Sequence, residues 1–364
     1  MKIKEVTNYL EELAPLNYAE DFDNVGLLVG NYNTEVNGVL VTLDTLEETV
    51  DEAIAKNCNL ILSFHPIIFG GLKKLNGNSY VEKVVLKAIK NDIAIYATHT
   101  ALDNSNNGVS AKMCEVLGLE NQKILIPKKG IIKKLITFVP IKDAKELQKH
   151  LFDAGAGNIG NYSECSFSVN GTGTFMGNEN SNPVIGEKGK RHSENETQIS
   201  ILFESKNENA VLNTLKNKHP YEEVAYEIIT LENTHQNIGM GMIGELPIAM
   251  DEKEFLVYLK NKMKTACVRH SELIHKKIKT VAVLGGSGSF AISNAKRAGA
   301  DAYVSADFKY HEFFKAEKSI LLADIGHYES EQFTKNLLVD YLTKKFSNFA
   351  IVLSEKSTNP IYYI

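Results

Sequence analysis

Asn59-Leu60-Ile61-Leu62-Ser63-Phe64-His65-Pro66 is an apolar run that ends on a histidine. A short run without polar alternation, closed by a proline, reads as a strand buried on both faces. Gly38-Val39-Leu40-Val41-Thr42-Leu43 precedes it and Ile93-Ala94-Ile95-Tyr96-Ala97 follows it. The intervening stretches 46–56 and 81–91 carry helical periodicity, and so does 3–14, with Ile3, Val6, Tyr9, Leu10 and Leu13 on one face. Strands alternating with helices predict a parallel, two-sided sheet.

The rhythm breaks after a helix at 109–117. Strand 132–139 and helix 142–153 lead into a polar, glycine-rich stretch from Ala154 to Glu196, which reads as loop. Strand 198–203, helix 208–217 and strand 225–231 follow. The alternation returns with helix 252–262, strand 279–284, helix 289–298, strand 302–305, helix 308–317, strand 319–323, helix 328–346 and strand 349–353. The expected class is α/β: a two-part core with mostly parallel sheets, built from 1–125 plus 236–364, and an inserted α+β, ferredoxin-like domain at 126–235.

The length of 364 residues suits two or three domains at roughly 150 residues each. Hydrophobic residues make up 43% and charged residues 23%, as in a chain with real cores. Forty Lys+Arg against 45 Asp+Glu give −5 with no block of one sign, which argues against a bulk grip on nucleic acid or anionic lipid. Cys58, Cys114, Cys165 and Cys267 form no C-x-x-C pair, so neither a cysteine zinc site nor a disulfide framework is indicated. No stretch approaches the ~20 apolar residues of a membrane span, and the opening residues lack a signal-peptide core. The cytoplasm is the expected location.

Parallel sheets place ligands beyond the carboxyl ends of their strands. Three predicted strand ends carry metal-type side chains: His65, then Asp103 after Thr98-His99-Thr100-Ala101-Leu102, then His327 with Glu331 one helical turn on. Imidazole and carboxylate donors suit Zn, Mn, Fe, Ni or Co. Singly, His327 and Glu331 would read as a surface ion pair and His65 as a core histidine. Their convergence favours a divalent metal site.

Other motifs are less specific. Asp103 to Gly108 imitates a calcium loop, but the twelfth position is Cys114 where glutamate is needed. Gly286-Ser287-Gly288-Ser289-Phe290-Ala291 fits G-x-G-x-x-A after a strand, with Asp307 placed as a ribose acid would be; it reads equally as a phosphate-contacting loop or a plain turn. Lys309 and His311 are candidate catalytic residues, the lysine toward an anion and the histidine in proton transfer, or else part of a solvated helix start. His219 and Glu223 share helical spacing, but Pro220 argues for a structural role.

Together these residues resemble the Nif-three-like family, the GTP cyclohydrolase I type 2 homologues, over nearly the whole chain. The resemblance rests on Ala19 to Gly30, Phe64-His65-Pro66, Thr98 to Asp103, Gly285 to Ser289, Asp307 to His311, Gly326 to Glu331 and His219-Pro220-Tyr221-Glu222-Glu223. It implies a dinuclear metal centre, homohexameric rings and, in long members, an inserted CutA/PII-like domain. By residue it makes His65, Asp103, His327 and Glu331 the ligands of one or two divalent ions. The family motif has two histidines before the proline; here the first is Phe64, which cannot ligate, leaving water or His99 for that place. The expected activity is metal-dependent hydrolysis of a nucleotide or other phosphorylated small molecule. The alternatives are a non-enzymatic metal-binding or regulatory scaffold, and a nicotinamide oxidoreductase using Gly286 to Ala291.

Overall fold

The computed structural model describes residues 1–364 and divides into two compact units, Met1–Pro127 with Gln236–Ile364 and Lys128–His235. The first unit opens with α1 (Ile3–Leu13), β1 (Gly26–Val29), β2 (Val39–Thr42), α2 (Glu47–Ala55), β3 (Leu60–Ser63), α3 (Tyr80–Lys90), β4 (Ala94–Ala97), α4 (His99–Asp103), α5 (Val109–Val116) and β5 (Glu120–Lys128). The second unit contains β6 (Ile132–Pro140), α6 (Ala144–Asp153), β7 (Ser166–Met176), β8 (Arg191–Glu204), α7 (Glu208–Lys218) and β9 (Tyr226–Thr230). The chain returns through β10 (His235–Asp251), α8 (Glu252–Lys262), β11 (Arg269–His270), β12 (Lys277–Ser287), α9 (Ile292–Arg297), β13 (Ala302–Ala306) and β14 (Leu321–Asp324). It closes with α10 (His327–Glu331), α11 (Thr334–Lys345) and β15 (Ile351–Leu353).

Side chains on a strand alternate between faces, so a strand covered on both sides must be apolar at every position. In the sheet β1-β4-β3-β2-β15, Val39, Val41, Leu60, Leu62 and Tyr96 pack with α1 and α11, while Leu40, Ile61 and Ile95 pack with α2 and α3. Leu60, Ile61 and Leu62 are fully buried, each contributing roughly 1.5–3 kcal/mol of transfer free energy. The sheet β11-β14-β13-β12-β10-β5 repeats the design. Val281, Val283 and Val304 face α5 and α8; Ala282, Tyr303 and Leu322 face α9. β15-β2-β3-β4 and β12-β13-β14 run parallel, and β1, β10 and β11 pair antiparallel at their margins.

The second unit has the order β-α-β-β-α-β and the antiparallel sheet β7-β8-β6-β9, with Leu135, Ile199, Ile201 and Phe203 packed against Leu147, Leu151, Val211 and Leu215.

Several expectations are corrected. The stretch from Ala154 to Glu196 is not loop throughout: β7 lies within it and β8 begins at Arg191. β7 holds only three strongly apolar side chains in phase, Phe167, Val169 and Phe175, and its Gly- and Thr-rich middle reads as loop. β1, β5, β10 and β11 are strands additional to those expected. The helix expected at 328–346 is broken into α10 and α11, and 308–317 is instead a 3-10 turn at Tyr310–Ala316. Asp103 ends the short helix α4, and a polar turn over 104–108 leads from it into α5. All four cysteines are free, and no helix is long and apolar enough to cross a membrane.

Candidate metal centre

Parallel pairing aligns Thr42, Ser63 and Ala97 at the carboxyl ends of β2, β3 and β4. The residues just beyond them, Asp44, His65 and His99, therefore emerge at one level. The turn after β3 is fixed by His65 N–H donating to Leu43 O at 2.9 Å and by the Ser63 hydroxyl donating to His65 O at 2.6 Å. From the other sheet, β13 delivers Asp307 and β14 delivers His327. Asp324 ties those two loops together: its carboxylate accepts from Gly326 N at 3.1 Å, Phe308 N at 3.0 Å and the Arg269 guanidinium at 3.0 Å.

His65, His327 and Glu331 converge so that their donor atoms lie within 4.8 Å of one another. Glu331 Oε2 stands 3.1 Å from His65 Nε2 and 3.3 Å from His327 Nε2. Each ring is held at its other nitrogen, His65 Nδ1 by Asp44 at 2.8 Å and His327 Nδ1 by Asp307 at 2.7 Å. His99 repeats the pattern, with Nδ1 on Asp23 at 2.8 Å; Asp23 also accepts from Thr100 N and its hydroxyl. A carboxylate on Nδ1 fixes the tautomer that leaves Nε2 as a lone-pair donor, which is how metal-bound histidines are oriented.

Two such lone pairs facing a carboxylate oxygen repel unless a positive charge sits among them. Glu331 Oε2 is buried and takes no hydrogen bond of good geometry. In the protein alone, protons supply the charge. Burial disfavours the His65 imidazolium, but the hydrogen bond to Asp44 and the close Glu331 carboxylate outweigh it and hold it up to about 10. Burial is likewise outweighed at His327, held up to about 11 by Asp307 and Glu331, and at Glu331, brought down to about 2 by the two imidazoles. The donor set and its unsatisfied oxygen fit a divalent cation.

Asp103 lies outside this triad. Burial, then the Glu331 charge, push its carboxyl well above the usual range, and no hydrogen bond offsets them. Phe64 is fully buried in the core, with its ring 4.9 Å from that of His65 and 5.7 Å from that of His99. Lys309 and His311 are exposed and join no cluster: the Lys309 N–H donates to Glu312, and the His311 ring stands against Tyr310.

The glycine loop is built for packing. Gly286 adopts φ +67°, and a Cβ there would stand 2.4 Å from Glu331 Oε1. Its N–H donates to Ser330 Oγ at 2.8 Å, and the Gly288 carbonyl accepts from Tyr303 at 2.8 Å. Asp307, expected near a ribose, orients His327 instead. His219 is structural, its Nε2 donating to Phe138 O at 2.9 Å and its Nδ1 accepting from Tyr221 N at 3.1 Å. Spacing does not announce the ring-holding roles of Asp23, Asp44 and Asp307; Asp44 and Asp307 carry the one signal of an acid just after a strand end, and Asp23, ahead of β1, carries none.

Fold and site thus define an α/β protein whose strand ends gather a His/Glu cluster able to hold a metal ion. The chain belongs to the Duf34/NIF3 (NGG1p interacting factor 3) family, whose profile matches residues 1–360. A Bacillus subtilis (strain 168) protein named GTP cyclohydrolase 1 type 2 homolog is 38% identical over 368 residues, covering 99% of this chain and 98% of its own. The crystal structure of a Bacillus cereus protein related to NIF3 matches with 37% identity and TM-score 0.83, covering 100% of this chain and 99% of that one. Staphylococcus aureus protein SA1388 matches with 30% identity and TM-score 0.78 over the same shares.

Proposed function

We propose that this chain is a divalent-metal protein in which His65, His327 and Glu331 hold the ion beside Asp103, and that it hydrolyses a nucleotide or other phosphorylated compound. The observation carrying this reading is the shared oxygen: two imidazoles, each fixed by an aspartate, turn Nε2 onto Glu331 Oε2. Zn, Mn, Fe, Ni or Co would suit these donors. A bound ion supplies Lewis acidity toward water and phosphoryl oxygen. Asp44 and Asp307 hold the rings and strengthen their donors. Asp103, with no partner of its own, is free to ligate a further ion or accept a proton. Lys309 and His311 are read as groups that meet substrate at its periphery. The relative's name makes GTP the first compound to try. Residues 128–235 are read as an inserted domain, and a homohexamer as the working assembly.

Elemental analysis of the wild type and of Asp103→Ala/Glu331→Ala, followed by assays of the metal-loaded protein on GTP and phosphate esters, tests the proposal. The expected result is one transition ion per chain, none in the variant, and turnover that follows the metal. Equal metal in both proteins overturns the site. The burial of Phe64, at the position where the family pattern has an imidazole, favours a second reading as a non-enzymatic metal-binding or regulatory scaffold. Tight metal without turnover selects it.

A further inference from the structure

The second unit contains a cavity of about 620 Å³, within the ~300–1,000 Å³ of small-molecule sites. Its walls come from β6, the β7–β8 hairpin and the segment after α7, and include the rings of Phe138, Phe175 and Tyr221. The Phe175 and Tyr221 rings are 5.9 Å apart at 57°. One polar group sits deep in this apolar lining: Glu196, on β8, is 9% exposed. Its Oε1 accepts the Tyr221 hydroxyl at 2.8 Å, and no other donor in the protein reaches the carboxylate. Gly173 lies against its other oxygen, where a Cβ would come within 2.1 Å of Oε2.

The charge of the lining is one-sided. Glu196, Glu222 and Glu223 line the cavity, and no lysine, arginine or histidine does. A buried carboxylate with spare lone pairs needs donors, and a cavity this acidic repels phosphates and carboxylates. Aromatic faces beside it attract a cation further. We infer that this cavity binds a small organic cation with an apolar or aromatic body, its amine, amidine or guanidinium group seated on Glu196. The site is separate from the His65–His327–Glu331 cluster, and its test is independent of metal.

The probe series is naphthamidine, naphthamide and naphthoate, which share one ring system and carry positive, zero and negative charge. Titration of the full-length protein is expected to show naphthamidine binding roughly ten- to a hundred-fold tighter than naphthamide, the size of a charge-assisted hydrogen bond. Naphthoate is expected not to bind. Glu196→Gln, nearly isosteric, should abolish the preference for the cation. Amide shifts in the folded wild type should cluster at Thr172–Met176 and Tyr221–Glu223, a readout that stands if the variant fails to fold. Equal binding of the three probes, tighter naphthoate, a preference that survives Glu196→Gln, shifts elsewhere, or no binding at millimolar probe each overturn the inference.

Discussion

Thr358 donates its hydroxyl to Asp44 Oδ2 at 2.5 Å, while the other oxygen of that carboxylate holds His65 Nδ1 at 2.8 Å. The carboxylate is therefore clamped at both ends, and Thr358 reaches the proposed metal centre through Asp44. Groups behind a ligand histidine typically change metal affinity by about 10–100-fold. Thr358→Val, one step further out, should weaken metal binding by about three- to tenfold, and Thr358→Ser should restore it. Competition with a chromogenic chelator reads both. Failure of serine to rescue would assign the loss to packing.

Asp307→Asn should weaken metal binding by about 10–100-fold, since a neutral amide oxygen holds His327 Nδ1–H less strongly than the carboxylate and makes Nε2 a poorer donor. The global fold should be little changed, because Asp307 is largely exposed. Lys309→Ala and His311→Ala, outside the cluster, should leave metal content unaltered. Metal loss on either of the last two would enlarge the site beyond the triad.

Gly286→Ala should damage the site in two ways. A left-handed backbone at φ +67° costs alanine about 1–2 kcal/mol, and its Cβ would displace the Glu331 carboxylate. Gly299→Ala is the matched control, with φ +77° and nothing within 4 Å. Both should lower the melting temperature, and only Gly286→Ala should lower metal affinity.

Phe64→His should raise metal content from one ion toward two per chain, measured by elemental analysis, at a stability cost of roughly 2–4 kcal/mol for replacing a fully buried ring. Unchanged stoichiometry would mean that Phe64 does not occupy a ligand position.

The metal-free centre should be alkali-sensitive. His65 and His327 are raised from 6.5 to about 10 and about 11, so their stabilising contribution is full below pH 6.5 and is lost as pH rises through 10 to 11. Glu331, lowered from 4.5 to about 2, contributes fully above pH 4.5 and loses that contribution as pH falls through about 2. A divalent ion must displace the two imidazolium protons, and Asp103, raised by burial and by Glu331, adds to the release. Calorimetry at neutral pH in buffers of different ionisation enthalpy should show about two or more protons released per ion, with affinity rising with pH. Metal uptake without proton release would place the ion elsewhere.

The buried strands, and the residues at their ends, are legible in the linear order of residues. β2, β3, β4, β12, β13 and β14 are apolar because both faces are covered, and a period-free apolar run survives in one dimension. His65, His327 and Glu331 could be proposed because chemistry at a parallel strand end is local in sequence. Contacts that are not local depend on the folded chain. His99 meets Asp23 across 76 residues, and Thr358 meets Asp44 across 314, so neither pairing leaves a trace in spacing. β7 is held by backbone hydrogen bonds to β8 and buries almost nothing in the core, so its glycines and threonines read as loop in the sequence. The metal-type residues stand just after the buried strands in sequence; the aspartates that aim them, and the acidic cavity around Glu196, exist only where distant segments come together in space.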